Sequence, residues 1–94
     1  MKYSISDQAW RDLQGIGRYI AQDNPARAVT FVSELTAQFR VIAERPKSFP
    51  ARDELRPGLR SALHRPYVIL FFIENDLVRI ARVFHGARDI PQLI

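Results

Sequence analysis

Apolar residues along the chain change spacing at a few punctuated points, and those points predict its elements. In "KYSIS" (2–6), Tyr3 and Ile5 alternate with polar neighbours, the period-two pattern of a strand. Ser6 or Asp7 then supplies a helix cap. Across "SDQAWRDLQGIGRYIAQDN", Trp10, Leu13, Ile16 or Gly17, and Ile20 recur at helical spacing and are expected to face a core. Gly15 and Gly17 sit inside that helix, where each costs about 1 kcal/mol relative to alanine. Glycines so placed usually permit close packing against a neighbouring element. Asn24-Pro25 stops one helix and starts the next, with Asn24 as cap and Pro25 at the first helical position. The second helix is predicted to run to about Glu44, with Ala28, Phe31 or Val32, Leu35, Phe39 and Ile42 as its stripe. Arg45-Pro46 ends it, because a residue before proline disfavours the α region. So short a connection makes the two helices an antiparallel hairpin.

The stretch "PKSFPARDELRPG" (46–58) reads as loop, since its prolines and Gly58 leave no room for a long regular element. Three strand-like runs follow. "LRSALHR" (59–65) sets Leu59, Ser61 and Leu63 against Arg60, Ala62 and His64. "YVILFFI" (67–73) is apolar at every position, as a central strand covered on both faces would be. "ENDL" (74–77) is a turn with Asn75-Asp76 at its tip, and "VRIARVFH" (78–85) is the last strand. Gly86 breaks it, and Ile90-Pro91 are expected to begin a single helical turn. The chain is therefore read as one domain, 1–94, of an α+β fold ordered β-α-α-β-β-β: an antiparallel sheet packed by an N-terminal helical hairpin. A two-helix hairpin covers one sheet face, yet 67–73 is apolar on both. Either the C-terminal tail or a partner is expected to cover the second face.

Charge adds a direction. The formal net charge is +4. Residues 1–55 hold eight basic and seven acidic side chains, and residues 56–94 hold six and three, so most of the excess lies in the second half. All six of those later basic residues are arginines, suited to phosphate, carboxylate and aromatic faces. Nucleic acid or an acidic protein is the partner class this favours; a solvated basic surface is the plainer reading. The chain has no cysteine, which excludes disulfides and thiolate metal sites. It has no run approaching the roughly 20 apolar residues of a membrane span, and a soluble cytoplasmic protein is expected.

Familiar catalytic motifs are missing. His64 and His85 are the only histidines and lack metal-ligand spacing, so no metal or cofactor is expected. No P-loop, dinucleotide fingerprint or nucleophile elbow is present. A metal-free ribonuclease remains conceivable in principle from Arg60, His64, Arg65, Tyr67, Arg79, Arg82, His85 and Arg88, which supply acid, base and cation types. His64 at a strand end is more ordinary as a surface residue, and Tyr67 as core or interface. Simple alternation puts Arg79 and Arg82 on opposite sheet faces, Arg82 with Phe84 and His85 with Arg79.

These residues resemble a family. The order and length are similar to the ParE/RelE toxins of type II toxin–antitoxin systems. "VRIARVFHGARD" (78–89) resembles the ParE branch, whose last strand ends in a histidine–glycine–arginine–aspartate signature. "AWRDLQGIGRYIAQDNPARA" (9–28) and "PKSFPARDELRPGLRSALHRPYVILFFI" (46–73) extend the likeness over essentially the whole chain. The resemblance implies a bacterial toxin, serving plasmid or chromosome stabilisation and neutralised by a cognate ParD-like antitoxin encoded beside it. Its implied target is DNA gyrase, which it would poison as a protein inhibitor, DNA being contacted only through antitoxin or gyrase. The alternative, implied by the RelE branch, is a ribosome-dependent mRNA endonuclease, which relies on strand-borne basic side chains and often a tyrosine near the C-terminus. This chain ends "IPQLI", with no tyrosine after Tyr67 and no lysine after Lys47, so that set is incomplete. A toxin-like fold surviving only as a complex-forming partner is the third class. Candidate gyrase contacts are Arg79, Arg82, His85 and Arg88; Asp89 is expected to pair with Arg88 or cap the final turn. Candidate antitoxin contacts are Trp10, Leu13, Arg60, Arg65, Tyr67 and Arg82. No catalytic residue is assigned.

Overall fold

A computed structural model describes residues 1–87 of the chain. Its elements are β1 (Lys2–Ile5), α1 (Asp7–Ala21), α2 (Pro25–Glu44), a 3-10 turn (Pro46–Ser48), β2 (Arg60–His64), β3 (Tyr67–Glu74) and β4 (Leu77–His85). Each boundary has a local cause. The Ser6 hydroxyl accepts the Ala9 N–H at 3.0 Å and opens α1. Asn24 Oδ1 accepts the Arg27 N–H at 3.0 Å and opens α2, with Pro25 in its first turn. Asn75 takes the left-handed conformation, φ 57°, that a two-residue hairpin turn between Glu74 and Leu77 requires.

The sheet order is β1-β4-β3-β2. β2, β3 and β4 form the expected antiparallel meander, while β1 joins β4 in parallel, Lys2 opposite Leu77 through Ile5 opposite Ile80. The helical hairpin packs on one face. Leu35, Phe39 and Ile42 of α2 are fully buried against Ile69, Phe71, Val78 and Ile80 of the sheet. Tyr3 meets Phe39 edge to face, ring centroids 5.9 Å apart, and Phe49 meets Phe71 likewise at 6.0 Å.

Three expectations need correction. Trp10 is not core: it is 54% exposed, and the side chains that α1 buries are Ala9, Leu13 and Ile16. Trp10 lies one residue, about 100°, from Ala9 around the helix. Second, the register between β3 and β4 slips: Leu70 faces Arg82 but Phe71 faces Ile80, leaving Ala81 as an extra residue. The bulge reverses the alternation. Arg79 and Arg82 stand opposite Phe72 and Leu70, two residues of one β3 face, whereas His85 stands opposite Tyr67 on the other. Arg82 and Phe84 keep their shared parity, but His85 and Arg79 do not share a face. Third, part of the second sheet face is covered by the segment before β2. Leu59 and Leu70 are 1% and 0% exposed, the Arg56 guanidinium lies 5.7 Å from the Phe72 ring centre, and Gly58 sits beside that ring. Gly58 has φ 84°, which only glycine adopts readily, and its N–H donates to Asp53 Oδ1 at 2.9 Å. The helical turn expected at Ile90-Pro91 lies outside the described residues.

Candidate interaction surface

α1 presents three rows of side chains to three environments. Ala9, Leu13 and Ile16 enter the core. Trp10, Gln14 and Gly17 face α2 across an open groove of about 650 Å³, whose far wall includes Val29 and Val32. Val29 is 71% exposed, so together with Trp10 it leaves a substantial apolar surface in water. Helix periodicity alone marks Val29 as off the buried stripe, the one sign in the sequence that could have found it. Gly17 borders the groove because a Cβ there would sit 3.6 Å from Val32 Cγ2, ordinary contact distance.

The third row, Arg11, Asp12 and Tyr19, faces the end of β4. Here β1 has stopped, and residues from the start of α1 take over its role along the β4 edge. The Ser6 N–H donates to Ile80 O at 2.9 Å, and the Ser6 hydroxyl donates to Ala81 O at 2.9 Å. Asp12 Oδ2 accepts the Val83 N–H at 2.9 Å. The same carboxylate receives Arg82 through Nε at 2.8 Å and Nη2 at 3.1 Å. This fork-to-fork pair, with side-chain exposures of 20% and 16%, pushes the Arg82 pKa upward and fixes the guanidinium against α1.

A further cluster ties α2 to the ends of β2, β3 and β4. Arg27 donates to both carboxylate oxygens of Glu34, at 2.7 and 3.3 Å, and holds that carboxyl below the usual glutamate range. His64 Nε2 lies 3.6 Å from Glu34 Oε1. The Phe31 ring contacts His64 and Tyr67, at 5.5 and 5.4 Å between centroids, and Tyr67 meets His85 edge-on at 5.4 Å. His85 Nδ1 accepts the Ala87 N–H at 3.2 Å.

The residues singled out from sequence therefore divide. Trp10 rims the groove and Leu13, only 3% exposed, forms its floor. Arg60 turns to the helix-covered side and donates to Phe49 O at 2.7 Å. Arg65 is exposed in the turn between β2 and β3, and Tyr67 is 4% exposed within the core. Arg79 is exposed on the second sheet face. Arg82 is held by Asp12, and His85 packs on Tyr67. Arg88 lies outside the described residues. Among the described residues, Tyr67 and Arg82 line one cleft between α1 and β4 and His85 packs on Tyr67, while Trp10, Arg60, Arg65 and Arg79 lie apart from them. Among the described residues no group of three or more His, Cys, Asp or Glu is placed to hold a metal ion, and no helix is long and apolar enough to cross a membrane.

A helical hairpin on one face of a β1-β4-β3-β2 sheet is the RelE/ParE-like arrangement. The chain shares it with a solved structure titled "Chromosomal ParDE TA system from P. aeruginosa", at a TM-score of 0.77 and 23% identity, over 90% of this chain and 95% of that one. Among curated proteins nothing is significantly similar. The family model described as "ParE toxin of type II toxin-antitoxin system, parDE" matches residues 3–90, and the chain belongs to that family. Membership in such a system implies a cognate antitoxin as its partner.

Proposed function

We propose that this chain is a protein poison of DNA gyrase that its cognate antitoxin neutralises by occupying the groove between α1 and α2. The observation that carries a binding role over a cutting one is the state of two side chains a nuclease would use. Tyr67 is 4% exposed inside the core, and Arg82 is clamped in a two-point pair with Asp12. Arg79 stands exposed on the face away from the helices, and Arg65 at one end of the sheet, so the arginines spread over a surface. A distributed set of cations steers and grips an acidic partner; it does not place an acid and a base on either side of one phosphate. Trp10 and Val29, meanwhile, give an antitoxin helix an apolar seat on the opposite, helical side. Purified toxin added to a gyrase supercoiling reaction is expected to inhibit it, and antitoxin to restore it. No inhibition at micromolar excess, or codon-positioned cleavage of ribosome-bound mRNA, overturns the proposal.

A further inference from the structure

Gly15 has no explanation within the described structure. It lies in the middle of a fifteen-residue helix, where glycine is less favourable than alanine. A Cβ built on it would meet nothing within 4 Å, unlike one on Gly17, so the packing of helix on helix or helix on sheet does not require it. The space it leaves belongs to a cleft of about 480 Å³ between α1 and the end of β4. Arg11, Gly15 and Tyr19 follow one another at i, i+4, i+8 along the α1 wall, and Arg82 and Phe84 form the opposite one. Arg11 and Tyr19 are exposed at the rim, while Ile16 and Val83, 8% and 1% exposed, close the floor. A glycine at such a place leaves room for a backbone to approach the helix from outside.

The lining tells what that is. Two arginines face one carboxylate, and Asp12 is already committed to Arg82 and to the Val83 N–H, which leaves Arg11 as the outward cation. Phe84 and Tyr19 supply apolar and aromatic walls. We propose that an extended acidic segment of the antitoxin lies in this cleft, its backbone against Gly15, a carboxylate on Arg11 and an apolar side chain between Tyr19 and Phe84. This inference rests on the antitoxin occupying the α1–α2 groove, since the cleft flanks the opposite side of the same helix. The path around a helix about 10 Å across is roughly 16 Å from one side to the other, which about five extended residues cover, so one bound chain reaches both sides of α1. The peptide is favoured over a nucleic-acid strand because Arg82 is already paired with Asp12 and Arg11 is left as the cleft's outward cation, a match for one carboxylate rather than for the successive phosphates of a strand.

Gly15→Ala and Gly15→Leu test this without disturbing the fold, because both residues favour helix over glycine and their Cβ enters open space. Gly15→Ala is expected to raise the melting temperature by roughly 4–8 °C. Gly15→Leu is expected to weaken binding of the purified antitoxin about tenfold or more, with Arg11→Glu doing the same. A Gly15→Leu protein that is more stable and binds antitoxin as tightly as wild type overturns the inference. So does a Gly15→Leu defect confined to gyrase inhibition or to a fluorescent oligonucleotide. Trp10→Ala serves as the separating control: if it too leaves antitoxin binding unchanged, the groove reading fails with the cleft, and if it alone weakens binding, only the cleft reading fails.

Discussion

Asp12 is the side chain that ties α1 to β4 by hydrogen bonds from both a side chain and the backbone. Its carboxylate accepts two bonds from Arg82, at 2.8 and 3.1 Å, and one from the Val83 N–H at 2.9 Å. Asp12→Ala leaves a guanidinium and a backbone donor without their acceptor. A hydrogen bond to a charged group contributes about 1.5–3 kcal/mol, and stranding one partner of a buried pair costs about 3–5 kcal/mol. Water reaches this pair, at 20% and 16% exposure, so part of that cost is relieved by solvation. The expected destabilisation is about 2–3 kcal/mol, or roughly 10–20 °C in Tm for a domain of this size. Asp12→Asn keeps an oxygen for the Val83 N–H and loses the charge, so it should cost about half as much. Urea unfolding followed by circular dichroism gives both values, and a double-mutant cycle with Arg82→Ala should yield a coupling of about 1–2 kcal/mol. If Asp12→Ala shifts stability by less than about 0.5 kcal/mol, the ordinary range of a surface substitution, the bond network does not anchor α1 to β4.

Other outcomes follow from the packing and charge of single side chains. Phe39 is 0% exposed at the centre of the hydrophobic cluster, so Phe39→Ala should cost about 3–5 kcal/mol in denaturant unfolding. Glu34 has its folded pKa depressed below the ordinary 4.5 by Arg27 first, so its contribution is complete above that value and disappears as pH falls through the folded one. An acid titration of stability should therefore lose part of its slope below about pH 4.5 in Glu34→Gln, and an unchanged profile contradicts the pairing. Val29→Asp should leave Tm nearly unchanged, because Val29 is 71% exposed, and weaken antitoxin binding about tenfold. Equal binding would remove the α1–α2 groove from the interface.

Much of the fold was legible because its boundaries are set locally. Ser6, Asn24-Pro25, Arg45-Pro46 and Asn75-Asp76 each act within one turn of chain, and the structure ends or begins an element at each. The second-helix stripe was also readable, since Ala28, Phe31, Leu35, Phe39 and Ile42 are all buried. What escaped depends on contacts distant in sequence. Ala81 becomes an extra residue only through its pairing with β3, and that slip reverses which residues accompany His85. Trp10 borders the core stripe by a single residue, and its exposure follows from how α1 rotates against α2 and β4. Asp12 bonds to residues about 70 positions away, and nothing in the spacing of α1 announces that. The candidate surface was only half legible for the same reason: residue types pointed to a basic partner-binding protein, while Tyr67, Arg60 and Arg82 proved to have structural contacts of their own.

The proposal that the chain is a poison of DNA gyrase predicts cleaved DNA held in the stalled enzyme. The most direct measurement is the yield of cleaved plasmid recovered after denaturing a gyrase reaction that contains the toxin. Linear DNA is expected to accumulate with toxin, to fall to background when stoichiometric antitoxin is added first, and to be reduced by Arg79→Glu at unchanged Tm. Intact plasmid at every toxin concentration, with supercoiling proceeding normally, would contradict it.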